Sequence, residues 1–216
     1  MSKPKKSPKK SPKKAEKKAT PSRTEIRITG FGGQGVVLSG HILGHACAIE
    51  AGQHSTMIQS FGPEARGSAC SATLVVSDSE VLYPYIHRPD IFVVMSSEGY
   101  DKFRDELKDD GVLIYESDLV KPTLKEGQKA FGIPSTRIAE SLGRAIVQNI
   151  VMVGFVTGIT DLVPREAMRE AVKHSVPAGT EELNLAAFDK GLEHADQLLR
   201  NPQVEVPQPD LEEVTA

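Results

Sequence analysis

Cysteine is scarce in this chain: Cys47 and Cys70 are the only two. They stand far apart and form neither a disulfide framework nor a CxxC metal or cluster motif. A secreted, disulfide-stapled protein therefore has no support. Both thiols are expected to be small buried hydrophobes rather than nucleophiles. Long apolar runs are missing as well, since no 18-residue apolar stretch is without charge, and this excludes a transmembrane helix. There is no apolar signal-peptide core near the N-terminus, so a cytoplasmic location without membrane contact is expected. The 216 residues, 39% hydrophobic, suit one domain with a substantial core rather than two.

What is present begins with an uneven charge. Residues 1–23 carry nine Lys and one Arg against one Glu, a net +9, and the remainder carries −12. The first stretch is of low complexity, with four prolines and no large apolar side chain beyond Met1. It has nothing to bury and is expected to be a disordered arm. SPKK occurs twice in it, at Ser7–Lys10 and Ser11–Lys14. Such repeats resemble linker-histone tails, which lie along nucleic-acid phosphates. The other reading is a solvated, solubilising or partner-docking arm on an acidic protein. With no aromatic residue to stack on bases, nucleic-acid contact would be electrostatic and steeply salt-dependent. The folded body is placed at 24–200, and 201–216 is read as a flexible, acidic, Pro-rich tail.

Glu25–Thr29 alternates and runs into glycines, which predicts a strand. Gly35–Ala51 reads as a helix, with Leu38, Ile42, Ala46 and Ile49 facing the core. Gly40 and Gly44, one turn apart, invite close packing, and Gly52 stops the helix. Strands are predicted at His54–Phe61, Ala69–Ser77, Val81–Tyr83, Asp90–Met95 and Gly111–Glu116, with a helix over Tyr100–Leu107. The second half is helical: 135–142 with Ser135 as N-cap, 144–157, 164–175 and 181–199. Residues 144–157 are apolar on nearly every side, so that helix is buried centrally or against another subunit. Asn149 within it needs a hydrogen-bond partner or costs about 1–3 kcal/mol. The pattern points to an α/β sheet with a hairpin-like insertion.

The stretch TGFGGQGVVLSG holds Gly30, Gly32 and Gly35 at dinucleotide-loop spacing, between a strand and a helix N-terminus that favours an anion. A dinucleotide site also wants an acid at the end of the second strand, and Ser60 stands there. No Lys-Ser/Thr follows the glycines, so a Walker A loop is excluded. An anion-binding or purely structural loop remains, with a stand-alone dinucleotide-binding oxidoreductase as an alternative. His41 and His45, at i and i+4, have metal-ligand spacing, but no HExxH pattern or third ligand is visible and no metal is assigned. Glu64 and Arg66 sit in a loop tightened by Gly62, Pro63 and Gly67. They form either an internal ion pair or a charge pair facing a substrate, cofactor or partner.

GFGGQGVVLSGHILGHA, QSFGPEARGSACSATLVVS, QNIVMVGFVTGIT and EELNLAAFDKG together resemble the gamma subunit of 2-oxoacid:ferredoxin oxidoreductases over about residues 25–195. The form QSFGPEARG is most similar to the 2-oxoglutarate type, with pyruvate, branched-chain 2-oxoacid and indolepyruvate types as alternatives. The resemblance implies a Rossmann-like three-layer sheet with a helical C-terminal part. It also implies a complex that converts 2-oxoglutarate and coenzyme A to succinyl-CoA and CO2, reducing ferredoxin, or runs in reverse. Thiamine diphosphate, Mg and iron–sulfur clusters belong to that complex. Its alpha and beta subunits, with a ferredoxin-like delta subunit as a further partner, are expected to hold them. Two cysteines cannot supply the four ligands a cluster typically takes, and no thiamine-binding GDG motif is evident. The chain is expected to be inactive alone. The resemblance marks Gly30, Gly32, Gly33, Gln34 and Gly35 as an anion, CoA or interface loop. It marks Gln59, Ser60, Gly62, Pro63, Glu64, Arg66 and Gly67 as interface or site-shaping residues. No acid, base or nucleophile is assigned. Ser68 departs from the pattern, where the family often has Gly, and the SPKK arm lies outside it.

Overall fold

A computed structural model of the chain describes residues 22–61 and 69–201. The SPKK arm, the GPEARGS loop and the Pro-rich tail from residue 202 lie outside the described residues. Arg23, assigned above to the arm, opens the first strand.

Six strands form one sheet in the order β2-β3-β1-β4-β5-β6. They are β1 (Arg23–Phe31), β2 (His54–Ser60), β3 (Ala69–Ser77), β4 (Ile91–Val94), β5 (Val112–Glu116) and β6 (Lys129–Ile133). β1, β4, β5 and β6 run parallel, while β3 is antiparallel to both β1 and β2. The hairpin β2–β3 thus fills the place beside β1, and the helix after β1 crosses over β3 to reach β2. The helices are α1 (Val36–His45), α2 (Ser97–Phe103), α3 (Ser135–Ser141), α4 (Gln148–Ile159), α5 (Arg165–Ser175) and α6 (Glu181–Arg200).

Alternation within the strands sorts side chains to two faces. Ile26, Ile28, Leu74, Val93 and Ile114 face the larger core, with α1, α4, α5 and α6. Phe92, Val94 and Leu113 face the smaller one, closed by Tyr100 of α2 with Leu107 and Val120. Helices on one face, the sheet, and α2 with its flanking loops on the other make the three layers expected. On the α2 face the buried Arg27 stacks over Phe103, 4.2 Å from the ring centroid, and pairs with Glu106.

The α4 core helix is buried centrally. Residues Asn149–Thr157 are all covered, and α6 crosses them on glycine. A β-carbon at Gly154 would collide with the Phe188 carbonyl, and one at Gly191 with the Val151 carbonyl and, at 2.7 Å, the Phe155 nitrogen. Two backbones touch there, which only paired glycines permit.

Four expectations are corrected. Ile49 is 69% exposed, whereas Ile42, Ala46 and Cys47 are fully buried. The cause is that α1 widens over Ala46–Glu50 into a π turn, in which Ala51 N–H bonds back five residues to the Ala46 carbonyl at 2.9 Å. The extra residue rotates Ile49 outward and Cys47 inward. Residues 81–83 form no strand, and Leu82 is 84% exposed. KAFGI, not foreseen as a strand, is β6. Ser135 does not cap α3: Pro134 holds that position, and the Ser135 hydroxyl donates to Glu116 instead.

Candidate functional site at the carboxyl edge of the sheet

All four parallel strands end on one edge. There β1 leaves the sheet through a tight turn, with Gln34 N–H donating to the Phe31 carbonyl at 3.1 Å. Gly33 has φ 100° and Gly35 φ 75°, conformations that an L side chain rarely takes. Gly30 is demanded by close approach: its β-carbon would stand 2.7 Å from Gln34 Oε1 and 3.0 Å from Met95 Cβ. The Gln34 side chain folds back into this gap. Its Oε1 accepts from Phe31 N–H at 2.7 Å and its Nε2 donates to the Met95 carbonyl at 2.9 Å. Gln34 is therefore a strut that joins the exits of β1 and β4, not a group facing outward.

Beyond the turn, the first turn of α1 has no acidic residue and no side-chain cap. Its leading N–H groups lack helical partners and carry the positive end of the helix dipole. Behind them sits Asn149, on the first turn of α4. It is 3% exposed and its Nδ2 has no hydrogen-bond partner among the described residues. A β-carbon on Gly35 would lie 2.6 Å from that carboxamide. So the two helix starts meet at this edge.

Sequence reasoning missed Glu116. This carboxylate, 1% exposed, ends β5. It accepts from the Ser135 hydroxyl, from Thr136 N–H at 3.0 Å and from Asp118 N–H at 3.2 Å. The Thr136 hydroxyl lies between Glu116 Oε2 at 3.3 Å and Gln148 Oε1 at 2.8 Å. Glu116 thus ties β5 to the starts of α3 and α4. The available signal was an acid closing the apolar run GVLIYE.

Gln59 and Ser60 are exposed at the end of β2. Ser60 pairs with Ser71, and Ala69 pairs with Phe31. The anchors of segment 62–68 therefore stand on the same edge as the glycine turn. Gly62, Pro63, Glu64, Arg66 and Gly67 lie outside the described residues.

Among the described residues no acid stands where a dinucleotide ribose would be held. The ribose acid belongs at the carboxyl end of the strand beside β1, on the side of the crossover. That neighbour is β3, which runs the other way and ends, at Ser77, on the far edge. Cys47 and Cys70 are both buried, and burial pushes both thiols up, Cys47 to about 12. Neither is a ready thiolate, and two such residues do not fit an iron–sulfur cluster, which takes four ligands. Among the described residues the site can orient an anion or a neighbouring chain, and no acid–base pair is assembled in it.

The family model for pyruvate ferredoxin/flavodoxin oxidoreductase matches residues 25–194. The chain belongs to this family. It is 45% identical to the 2-oxoglutarate synthase subunit KorC of Methanocaldococcus jannaschii, over 82% of this chain and 96% of that one. It is 47% identical to the subunit of the same name from Methanothermobacter thermautotrophicus, over 79% and 94%. The crystal structure of a keto/oxoacid ferredoxin oxidoreductase gamma subunit from Geobacter sulfurreducens superposes with a TM-score of 0.72. That protein is 36% identical, with 81% of this chain and 99% of the other covered. The oxidoreductase gamma-subunit resemblance and the α/β fold both stand. Among the described residues no helix is long and apolar enough to cross a membrane.

Proposed function

We propose that this chain is the gamma subunit of a 2-oxoglutarate:ferredoxin oxidoreductase, and that its glycine turn forms part of the coenzyme A side of an active site completed by other subunits. The observation that carries this reading is 45–47% identity to two 2-oxoglutarate synthase subunits across nearly their whole length. The reaction takes 2-oxoglutarate and CoA to succinyl-CoA and CO2, with two electrons passed to ferredoxin, or runs in reverse. Thiamine diphosphate with Mg supplies the carbanion chemistry, and iron–sulfur clusters the electron path. The alpha and beta subunits and a ferredoxin-like delta subunit hold them. This chain contributes position and charge. The uncapped start of α1 receives a CoA phosphate. Gln34 and Glu116 fix the turn and the neighbouring loops. Gln59, Ser60 and the 62–68 segment face the partner subunits.

The test is co-expression with the partner subunits, followed by ferredoxin or viologen reduction with CoA and a panel of 2-oxoacids. The expected result is turnover chiefly of 2-oxoglutarate by the complex and none by this chain alone. Preference for pyruvate or a branched-chain 2-oxoacid would overturn the substrate assignment. Activity of the chain alone would overturn the division of labour.

A further inference from the structure

The far end of α1 holds a cluster with no part in the reading above. Glu50 follows His45 by five residues. On a regular α-helix those two side chains would point well apart. The π turn over Ala46–Glu50 adds a residue to the turn and brings Glu50 round to His45. His45 Nε2 lies 3.4 Å from Glu50 Oε1. From the last turn of α5, His174 Nδ1 lies 3.6 Å from the same oxygen. The three ligand atoms are all within 4.8 Å of one another.

The spacing is informative. N–H···O hydrogen bonds run about 2.7–3.2 Å, so both contacts, at 3.4 and 3.6 Å, are too long to be well-made ones. Ligands around a tetrahedral zinc ion, with bonds of about 2.0–2.1 Å, stand about 3.3 Å apart. Each nitrogen thus stands from the shared carboxylate oxygen at nearly the separation a bound ion requires, and the two nitrogens lie within 4.8 Å of each other. His174 has the most freedom to close the remaining gap, since its side chain is 56% exposed against 25% for His45 and 23% for Glu50. Solvent access leaves room for water in the fourth position. Two imidazoles and one carboxylate suit a borderline divalent metal, whereas Mg2+ prefers oxygen donors throughout. His41, the residue whose spacing suggested a metal pair, is exposed on α1 with its ring centroid 6.3 Å from that of His45. It is not one of the three.

We propose that His45, Glu50 and His174 form a site for one divalent transition-metal ion of the zinc class, clamping the end of α5 to the π turn of α1. The ion links the C-terminal helices to the sheet domain, away from the glycine turn and independent of the proposed activity.

The experiment uses the purified full-length chain, stripped with chelator. Zn2+ titration by calorimetry and unfolding temperature are measured for the wild type and for Glu50→Gln, His174→Gln and His41→Gln. Expected are one ion per chain and a rise in unfolding temperature with Zn2+ but not Mg2+. Loss of a ligand should weaken binding by at least about tenfold, since even outer-sphere changes cost that much. Glu50→Gln and His174→Gln should therefore lose the tight site, and His41→Gln should keep it. His174 is exposed, so its replacement does not threaten folding. No saturable Zn2+ binding would overturn the proposal. So would binding that survives in both Glu50→Gln and His174→Gln, or binding that is lost only in His41→Gln, which would assign the ion to the His41–His45 pair.

Discussion

Gly35 and Asn149 are in direct contact, with the space for a β-carbon on Gly35 filled to within 2.6 Å by the Asn149 carboxamide. The contact holds the start of α1 against the start of α4. Gly35→Ala adds a clash to a left-handed backbone that costs an L residue about 1–2 kcal/mol by itself. Asn149→Gly removes both the carboxamide and the Asn149 β-carbon, which would itself stand 2.8 Å away, so the two changes should couple by about 1–2 kcal/mol. Urea denaturation of both single variants and the double variant checks this. Strict additivity would show that the two residues act separately.

Gly33 gives a charge test of the phosphate reading. It is exposed, and nothing lies within 4 Å of an added β-carbon. Gly33→Asn and Gly33→Asp share the same backbone strain, at φ 100°, and differ only in charge. A charge near a helix terminus is worth about 0.3–1 kcal/mol. In the assembled enzyme the KM for CoA should therefore be about two- to fivefold higher for Asp than for Asn, with kcat alike. Equal KM values would remove the phosphate from this turn.

The glycine crossing of α4 and α6 should be far less tolerant than a glycine that only turns the chain. Gly191→Ala drives a methyl into backbone atoms of α4, which do not yield as a flexible side chain does, so a loss of at least about 3 kcal/mol is expected. Gly143, at φ 89° with open space around it, should cost only the conformational strain, about 1–2 kcal/mol. Thermal or urea unfolding of the two alanine variants compares them directly. Similar losses would mean that the helices separate easily.

His194 should make the fold acid-sensitive. Its ring packs on Phe155, with centroids 5.5 Å apart. Burial holds its pKa below the ordinary histidine value, with a partly opposing hydrogen bond to the Gly132 backbone. The unfolded chain therefore takes up this proton first as the pH falls. The stabilisation is present above the unfolded pKa of about 6.5 and is lost as pH falls through the depressed folded value. His194→Asn should flatten the dependence of the urea midpoint on pH between about 7 and 5. An unchanged slope would place the acid sensitivity elsewhere.

Much of this architecture was legible because local chemistry and fold agree. The strand–glycine–helix start at Thr29–Val36 needs left-handed backbone, and the sequence supplies glycine at Gly33 and Gly35. The bounds of β3, Ala69–Ser77, are those expected, because turn-type residues flank a run of small and β-branched ones in the sequence. Ile49 was misplaced because a 3.6-residue period carries no warning of a π turn. β6 was overlooked because it is five residues long and contains Gly132, whose added β-carbon would strike Tyr115 at 2.8 Å. Glu116 with Ser135, and Glu50 with His174, meet only through tertiary packing, so spacing along the chain could not pair them. The charge pair foreseen at Glu64 and Arg66 lies outside the described residues.

The hairpin beside β1 has an architectural consequence. β3 is zipped to β1 over nine residue pairs and to β2 over seven. The two posts on either side of residues 62–68, Ser60 and Ala69, are thus set by the ladders of the described strands. A one-residue slip would invert every side chain of β3 between the two cores, so the posts are locked in register. The sheet acts as a socket whose rim is fixed on both sides of residues 62–68. In the assembly proposed above, exchanging residues 62–68 between family members of different substrate type is expected to change what the partner subunits meet while the frame stays unchanged.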